Sequence, residues 1–326
     1  MTLSQNPIAD RLKGLHNLPQ DPALALLFPG QGSQKVGMGL EAYQSSTAAR
    51  AVFDSADLAL QTSLSRLCFE GPEDELTRTI NAQPAILTTS LAYLAAVLES
   101  GALERRPAFL AGHSLGEYTA LVAAGSLNIS DAARLVRERG RLMEEAGKRT
   151  AGTMSAIVGL TEDVVTEICR QSGAEPCNFN ARTQIVIGGS PQAVQQAATL
   201  ARERGGRGLP MNVAGAFHTS MMEPAVDAFQ KLIEGESLAD PAIPVIGNVS
   251  AAPLRTAAEC RSDLERQIAS PVRWRQSILH MLDAGVRTFV ELGPGKTLTT
   301  MLKRDSPELE LISLDGATTL ASPSNV

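Results

Sequence analysis

The segment Gly112-His113-Ser114-Leu115-Gly116 constrains the fold more than any other part of this sequence. It follows the apolar run Phe109-Leu110-Ala111 and precedes a helix-like segment at 117–124. A strand that turns sharply into a helix needs small residues beside the turning residue, because larger side chains would collide there. The pattern therefore predicts a strand, a turn and a helix, with the Ser114 hydroxyl exposed and facing the positive end of the helix dipole. An ordinary tight turn without chemistry is the alternative.

Short apolar runs and helical patterns alternate along most of the chain. Apolar runs at 24–28 and 109–112 alternate with helical patterns at about 40–68 and 83–99, the second of which opens at Pro84. Buried-strand patterns return at 245–246 and 288–292. This alternation favours a parallel sheet with helices on both faces, because parallel strands are joined by helical crossovers.

The pattern changes near Gly152. Strand patterns at 154–158, 185–187 and 208–213 and helix patterns at 162–171 and 191–204 resemble a small ferredoxin-like unit with the order βαββαβ. We therefore expect an α/β fold, in which a large α/β-hydrolase-like domain with a parallel sheet is interrupted by a small ferredoxin-like α+β domain. The predicted parts are a flexible leader at 1–22, the large domain at 23–149 and 215–326, and the small domain at 150–214.

Composition excludes several classes of function. The 326 residues carry a net charge of −6, so no basic surface for nucleic acid is indicated. The four cysteines form no CxxC pair, which argues against disulfide frameworks and structural metal sites. No run approaches the ~20 apolar residues that span a bilayer. We expect a cytoplasmic monomer with no metal and no membrane contact.

A serine nucleophile needs a base within hydrogen-bond reach, and the chain offers four histidines. His16 lies in the predicted leader, His113 adjoins the turn and is expected to point away from Ser114, and His280 lies on a predicted helix. His218 lies in a loop just before a helix whose start is marked by Ser220 and Glu223. A loop at this position can fold back over the sheet edge, so His218 is the candidate base, although the spacing alone leaves the role open.

Arg139 lies on the apolar face of a predicted helix. It comes seven residues after Ala132 and seven before Ala146, whereas Arg134, Arg137 and Arg141 lie off that face. A guanidinium facing the core costs several kcal/mol unless it is paired. It therefore belongs either to an internal salt bridge or to a cleft in which it waits for a carboxylate, which its planar fork grips at two points.

With these residues assembled, the chain resembles the malonyl-CoA:acyl carrier protein transacylases and the related acyltransferase domains of polyketide synthases. The resemblance runs from about residue 24 to 303. Its landmarks occur in the family's order: Phe28-Pro29-Gly30-Gln31-Gly32-Ser33-Gln34, Gln83-Pro84-Ala85, Gly112-His113-Ser114-Leu115-Gly116-Glu117-Tyr118, Arg139-Gly140, Asn178-Phe179-Asn180, Gly215-Ala216-Phe217-His218 and Glu291-Leu292-Gly293-Pro294-Gly295.

The resemblance implies a role for each matching residue. Ser114 would be the nucleophile, His218 its base and Arg139 the clamp for the malonyl carboxylate. The backbone amides of Gln31 and Leu115 would form the oxyanion hole. In many bacterial members a glutamine carbonyl orients the histidine; the position that matches it here, within Pro271-Val272-Arg273-Trp274, is taken to be Arg273.

The resemblance also implies a substrate and a partner. Phe217 and Leu115 are typical of members that select malonyl over methylmalonyl groups, a preference of only ~1–3 kcal/mol for one methyl. Malonyl-CoA would be the donor, no cofactor would be bound, and the acceptor would be the phosphopantetheine thiol of a transiently bound acyl carrier protein. Ping-pong transfer through a malonyl-serine would supply fatty acid synthesis.

Three alternatives stay open at this point. The same chemistry could serve a polyketide synthase or a malonate decarboxylase. A serine thioesterase or other hydrolase would share Ser114 and His218 but would need neither a buried Arg139 nor the loop at Gln31. A non-catalytic module that docks carrier proteins would keep the fold without turnover.

Overall fold

The computed structural model describes residue 12 and residues 14–315. In chain order the described strands are β1 Gln20–Phe28, β2 Arg106–Gly112, β3 Thr153–Val158, β4 Glu175–Ala181, β5 Gln184–Gly189, β6 Arg207–Met211, β7 Val245–Ile246, β8 Pro253–Leu254, β9 Thr288–Leu292 and β10 Glu310–Leu314. The described α-helices are α1 Gly14–Asn17, α2 Leu40–Ser45, α3 Thr47–Leu60, α4 Leu64–Glu70, α5 Glu73–Thr77, α6 Thr79–Ser100, α7 Gly116–Ala123, α8 Ile129–Arg149, α9 Glu162–Ser172, α10 Pro191–Glu203, α11 Glu223–Glu234, α12 Ala257–Gln267, α13 Trp274–Asp283 and α14 Thr297–Asp305.

The larger sheet has six strands in the order β10-β9-β1-β2-β7-β8. All neighbouring pairs are parallel except β7 and β8. Along β1, Leu24, Leu26 and Phe28 enter one apolar cluster while Ala25 and Leu27 enter another. Successive side chains of a strand point to opposite faces, so this sheet is buried on both sides. The predicted mixed α/β fold with a parallel sheet is confirmed.

The carboxyl ends of the central strands of this sheet meet at one edge. Phe28, the last residue of β1, pairs with Gly112, the last residue of β2, and β7 ends beside them at Ile246. In open parallel sheets, ligands bind in the crevice beyond these ends. The loops that follow Phe28, Gly112 and Ile246 therefore meet in one place.

The smaller sheet holds four strands in the order β4-β5-β3-β6, every pair antiparallel. The elements from β3 to β6 follow the order βαββαβ, with α9 and α10 as the two helices. Strand β4 corresponds to no strand assigned from the sequence. Pro176, Asn178 and Asn180 interrupt its apolar pattern, and its pairing with β5 shifts register twice. Reciprocal backbone hydrogen bonds, Phe179 N to Val272 O and Val272 N to Cys177 O, tie this sheet to the larger part of the chain.

Three sequence predictions are corrected by the structure. Residues 14–22 of the predicted flexible leader fold as α1, whose Leu15 is fully buried, and as the start of β1, where Gln20 pairs with Arg106 of β2. Residues 1–11 and 13 lie outside the described part of the chain. The helix predicted at 40–68 is three helices, since Ser46 is extended and Gln61 adopts a left-handed conformation. The helix predicted to open at Pro84 begins earlier, at Thr79.

Candidate active site

Ser114 lies in the turn between β2 and α7 with a φ of 50°, in the left-handed region. A Cβ on Gly112 would lie 1.9 Å from the carbonyl carbon and oxygen of Gly116, and one on Gly116 would lie 2.1 Å from Phe28 O. Neither position can carry a side chain while the strand and helix pack this closely. The predicted strand, turn and helix are confirmed, and the steric reason is the one expected from the sequence.

Asn248, in the loop after β7, holds this turn in place. Its Oδ1 accepts a 2.6 Å hydrogen bond from Ser114 N, and its Nδ2 donates a 2.7 Å bond to Gly112 O. The side chain is buried, and its own backbone N donates to Glu117 Oε2 at 3.2 Å. No sequence motif marks Asn248 as a site residue. The available signal was a polar side chain just beyond the carboxyl end of a buried strand.

His218 lies against Ser114, with its Nε2 2.8 Å from Ser114 Oγ. On the other side of the ring, Nδ1 lies 2.9 Å from the carbonyl oxygen of Gln267. A carbonyl can only accept, so Nδ1 carries the hydrogen and Nε2 is the free acceptor facing Ser114. The backbone of His218 has a φ of 63° and donates its N–H to Ile268 O at 3.1 Å.

The environment of His218 keeps the imidazole neutral. Burial, followed by the nearby charge of Arg139, lowers the pKa of His218 to about 3. A neutral imidazole with a free Nε2 is the form that can take a proton from a hydroxyl group.

The assignment of Arg273 as the residue that orients the histidine is wrong. The carbonyl oxygen of Arg273 accepts hydrogen bonds from Ser277 N and Ser277 Oγ at the start of α13. Gln267, the last residue of α12, provides the carbonyl that meets His218. The helix brings Gln267 beside the turn, whereas Arg273 comes after the connection to α13.

Arg139 is 1% exposed and points its guanidinium into the site. Its Nη1 donates to Gln83 Oε1 at 2.8 Å, and its Nη2 donates to Gln267 Oε1 at 2.8 Å and to Ser114 Oγ at 3.1 Å. The aromatic ring of Tyr118 lies 5.3 Å from the guanidinium carbon. All three hydrogen-bond partners are neutral oxygens, and among the residues that the structure describes Arg139 forms no ion pair. The internal salt bridge considered for this residue is therefore excluded within that part of the chain.

The close approach of two helices positions Arg139. A Cβ on Gly140 would lie 2.5 Å from Thr79 O, so a glycine beside Arg139 lets α8 pack directly against the start of α6. Helix α6 supplies Gln83, which is fully buried and also donates to Met143 Sδ at 3.4 Å. This contact leaves Gln83 Oε1 directed at Arg139.

The remaining predicted site residues line the same cleft. Gln31 and Leu115 follow β1 and Ser114, and for neither backbone N–H does the described part of the chain provide an acceptor. Phe217 is buried beside His218 and borders the cavity. The Gln31 side chain is held separately, since its Nε2 donates to Thr79 Oγ1 at 3.1 Å.

The cleft has a volume of about 1130 Å³ and lies between the two sheets. Ser114, His218 and Arg139 lie on the side of the large sheet, while Leu209 and Met211 of β6 are exposed at the opposite wall. Its volume slightly exceeds the range of about 300–1,000 Å³ that is typical of small-molecule sites. Within the described residues, no group of three or more His, Cys, Asp or Glu side chains could hold a metal ion. Nor is any described helix long and apolar enough to cross a membrane.

None of the other histidines forms a hydrogen bond to Ser114 within the described part of the chain, although His113 borders the same cleft. His113 turns away from Ser114 toward the small sheet, where its Nε2 lies 2.8 Å from Asn180 Oδ1. His16 Nε2 meets the carbonyl oxygen of Ala123, and His280 packs edge-on against Phe109.

Sequence reasoning missed the amide side chains that organise the site. Gln83 was only a landmark of the resemblance, yet it holds Arg139. Gln267 is of the residue type that the resemblance implies for orienting the histidine, but that role was assigned to Arg273 instead. In the structure its Nε2 donates to Ser114 O at 3.0 Å and to Glu117 Oε2 at 2.5 Å, while its Oε1 accepts from Arg139. One side chain thus connects the nucleophile, the cation and a buried acid.

Comparisons with known proteins show which family this chain resembles. The model of the acyl transferase domain family matches residues 25–315. A malonyl CoA-acyl carrier protein transacylase of Bacillus subtilis is 44% identical over 303 residues, covering 91% of this chain and 95% of that protein. The crystal structure of an acyl carrier protein S-malonyltransferase from Vibrio cholerae superposes with a TM-score of 0.88 at 37% identity, covering 91% of this chain and 98% of the other.

A further solved structure contains a carrier protein. It is a holo acyl-carrier protein of a type II polyketide synthase in complex with its malonyl-transacylase, similar to this chain with a TM-score of 0.87 and 36% identity, covering 91% of this chain and 97% of the other. The resemblance drawn from the sequence motifs is confirmed. Since the family model and these relatives span nearly the whole chain, the chain belongs to the acyl transferase domain family, alongside the malonyl CoA-acyl carrier protein transacylases.

Proposed function

We propose that this chain moves a malonyl group from coenzyme A to the phosphopantetheine thiol of an acyl carrier protein, through a malonyl ester on Ser114. The observation that carries the proposal is the buried cation beside the nucleophile: Arg139 Nη2 lies 3.1 Å from Ser114 Oγ and its guanidinium has no carboxylate partner among the described residues. A site that places a buried cation within reach of its nucleophile is suited to an acyl group that ends in a carboxylate.

Acylation begins with proton transfer from Ser114 Oγ to His218 Nε2 across 2.8 Å. The serine oxygen attacks the thioester carbonyl of malonyl-CoA, and the carbonyl oxygen becomes an oxyanion. The backbone amides of Gln31 and Leu115 would hold this oxyanion, each such donor being worth roughly 2.7–4 kcal/mol in comparable sites. The C–S bond then breaks, and the coenzyme A sulfur leaves with the proton from His218.

The second half reverses these steps with a different thiol. His218 takes the proton of the phosphopantetheine thiol, and its sulfur attacks the ester carbonyl of malonyl-Ser114. The C–O bond to the serine breaks, and Ser114 Oγ recovers the proton from His218. Because donor and acceptor use the same site in turn, the kinetics are ping-pong. The carbonyl of Gln267 stabilises the transient imidazolium through Nδ1–H.

Arg139 and Phe217 give this chemistry its selectivity. The malonyl carboxylate would replace weaker partners of the guanidinium and accept two N–H bonds from it. Phe217, buried at the wall of the cavity, would crowd an α-methyl branch. Malonyl groups would therefore be favoured over acetyl groups by charge, and over methylmalonyl groups by shape.

The finer structural and cellular assignments belong to the same proposal. We assign the large part, predicted at 23–149 and 215–326, to an α/β-hydrolase-like domain; β1 extends it back to Gln20, and residues 316–326 lie outside the described part of the chain. We assign 150–214 to a ferredoxin-like domain, which the antiparallel order β4-β5-β3-β6 supports. The protein would act as a cytoplasmic monomer without a bound cofactor. The polyketide-synthase carrier in the related complex keeps a polyketide pathway as the second candidate to fatty acid synthesis.

Intact mass spectrometry tests the proposal directly. The protein is incubated briefly with malonyl-, acetyl- or methylmalonyl-CoA, with and without a holo carrier protein. The expected result is an adduct of malonyl mass that is absent from Ser114→Ala and is discharged by the holo carrier protein. Discharge by water alone at the same rate would identify a hydrolase. The absence of any adduct would instead indicate a non-catalytic module that docks carrier proteins. Parallel assays with fatty-acid and polyketide carrier proteins separate the two pathways.

A further inference from the structure

Charge compensation around Arg139 is unusual. A buried cation is ordinarily paired with a carboxylate, because desolvation of an unpaired charge is costly. Arg139 instead contacts the amide oxygens of Gln83 and Gln267 and the hydroxyl of Ser114. Of two buried acids nearby, Glu117 accepts a hydrogen bond from Gln267, and Asp263 lies four residues before Gln267 on the same helix. The protonation state of these two acids therefore decides how much of the charge of Arg139 is available to a substrate.

Glu117 is on the first turn of α7 and is fully buried. Its Oε2 accepts hydrogen bonds from Gln267 Nε2 at 2.5 Å and from Asn248 N at 3.2 Å. Its Oε1 is buried as well, and no donor reaches it from the described part of the chain. An ionised carboxylate would leave that oxygen with negative charge and no hydrogen bond, whereas a protonated carboxyl can use it as a donor.

Asp263, on α12, has the opposite environment. It is 1% exposed, and its two oxygens each accept a backbone amide at 3.0 Å, Oδ2 from Val249 and Oδ1 from Ser250. The guanidinium of Arg266 lies 3.9 Å from Oδ1. Both oxygens of Asp263 therefore already accept hydrogen bonds, whereas Glu117 Oε1 receives none from the described residues, and two neighbouring buried carboxyls do not both ionise readily. The remaining proton of the pair therefore belongs on Glu117.

The electrostatics of the pair agree with this distribution. Burial raises the pKa of Glu117 well above its usual range, and the negative charge of Asp263 and a hydrogen bond to that side chain raise the pKa further. Hydrogen bonds from Gln267 and Asn248 act in the other direction but are the weaker influence. Among the described residues, the other titratable or charged groups facing this pair are Arg139, Tyr118 and Cys260, together with Arg266 beside Asp263.

We propose that Glu117 is a neutral, proton-bearing positioning residue: its carboxyl donates a hydrogen bond to the Asp263 carboxylate and accepts one from Gln267. By fixing Gln267, Glu117 positions both groups that Gln267 holds, the Nδ1–H of His218 and the guanidinium of Arg139. By staying neutral, it leaves the charge of Arg139 to be balanced by the substrate carboxylate. This second consequence rests on the function proposed above.

The proposal has a distinct alkaline signature. If the pH rises far enough to ionise Glu117, its negative charge opposes the binding of a second carboxylate beside Arg139. The KM for malonyl-CoA then rises while the KM for acetyl-CoA, which has no such carboxylate, stays constant. The variant Glu117→Gln has an NH₂ group where Glu117 has its proton and cannot ionise. The alkaline rise in KM is therefore expected to disappear in this variant.

Infrared difference spectroscopy of the full-length protein can detect the proposed proton on the Glu117 carboxyl directly. The spectrum of the wild type at neutral pH in D₂O is expected to contain the C=O band of a protonated carboxyl, and this band is lost in Glu117→Gln. Glu144→Gln is the matched control: Glu144 borders the same cleft but is paired with Arg78, so its replacement is expected to remove no such band. A wild-type spectrum without a band that depends on Glu117 overturns the proposal.

Kinetics supply the second arm. Glu117→Ala is expected to lower the kcat/KM for malonyl transfer by more than 10-fold, and Glu117→Gln to restore most of that loss. A Glu117→Gln variant as impaired as Glu117→Ala would identify Glu117 as an ionised counter-charge and overturn the proposal. If Glu117→Ala does not fold, the infrared spectra of the wild type and of Glu117→Gln still show whether Glu117 carries a proton. Failure of the wild type to form a malonyl adduct would instead refute the proposed function, whatever the infrared result.

Discussion

Arg139 Nη2 donates a 3.1 Å hydrogen bond to Ser114 Oγ, the same oxygen that lies 2.8 Å from His218 Nε2. The nucleophile is therefore held between a neutral base and a buried cation. The cation lowers the pKa of the base and is positioned to bind a negatively charged acyl group, so that one guanidinium influences both reactivity and selectivity.

Replacement of Arg139 by alanine separates these roles. We expect kcat/KM for malonyl transfer to fall on the order of 100-fold or more, because losing one partner of a buried charge pair costs about 3–5 kcal/mol. Acetyl transfer should be unchanged or faster. Steady-state kinetics with malonyl- and acetyl-CoA measure both. Arg141→Ala, on the same helix and paired at the surface with Glu138 and Glu145, is the control. An equal loss on both substrates would contradict the clamp role.

The pH dependence of acylation follows from the lowered pKa of His218. The base works only when neutral, so a folded-state pKa of about 3 places the acid limb of kcat/KM well below the usual histidine value. The charge of Arg139 contributes to this lowering, so Arg139→Gln should raise the pKa of His218 and move the acid limb to higher pH. Rapid-quench acylation with acetyl-CoA and NMR titration of the His218 ring test this shift. An acid limb that does not move would refute the electrostatic coupling.

The two glycines around Ser114 should tolerate no side chain. Gly112→Ala and Gly116→Ala place a Cβ 1.9 and 2.1 Å from backbone atoms, so the strand and helix must separate. We expect each substitution to lower the free energy of unfolding by several kcal/mol and to abolish acylation. Urea denaturation and intact mass measure these effects. Gly14→Ala, where a Cβ meets no atom of the described residues within 4 Å, should be close to neutral. A fully stable Gly112→Ala protein would show that the close approach is not needed.

Asn248 is expected to affect stability and acylation because its side chain holds the backbone of the turn that carries Ser114. Asn248→Ala removes the acceptor for Ser114 N and the donor to Gly112 O, leaving two buried groups unpaired. Each such loss costs about 1–3 kcal/mol. The unfolding free energy should fall accordingly, and kcat should fall more than KM rises, since the turn carries the nucleophile. Denaturant melts and single-turnover acylation distinguish the two effects. Unchanged stability would mean that water replaces the side chain.

Phe217 should determine whether the site accepts an acyl group with an α-methyl branch. Phe217→Val shortens a buried side chain at the cavity wall, so the ratio of methylmalonyl to malonyl transfer should rise by about 10- to 100-fold, the usual value of one methyl group in a pocket. Competition between the two thioesters, read by intact mass, gives this ratio. Leu209→Val, at the exposed opposite wall, should leave the ratio unchanged. If this ratio stays constant in both variants, residues other than Phe217 select between malonyl and methylmalonyl groups.

The sequence by itself determined the local features of this protein. Two glycines around Ser114 required a sharp turn, because steric exclusion acts between neighbours in the chain. The apolar spacing around Arg139 required that residue to face the core, because helical periodicity is local as well. The motif order also determined the family, whose model matches residues 25–315.

Only the tertiary structure decided which distant groups complete the site. Gln267 is 153 residues from Ser114, yet its carbonyl holds His218 and its side chain holds Arg139 and Ser114 O. The resemblance was taken to place Arg273 at the position where many members have a glutamine, and the change of residue type was accepted because any residue can supply a main-chain carbonyl. Whether Arg139 had a carboxylate partner was equally undecided, since that depends on how α6, α8 and α12 pack together. The geometry of packed helices settles what residue identity leaves open.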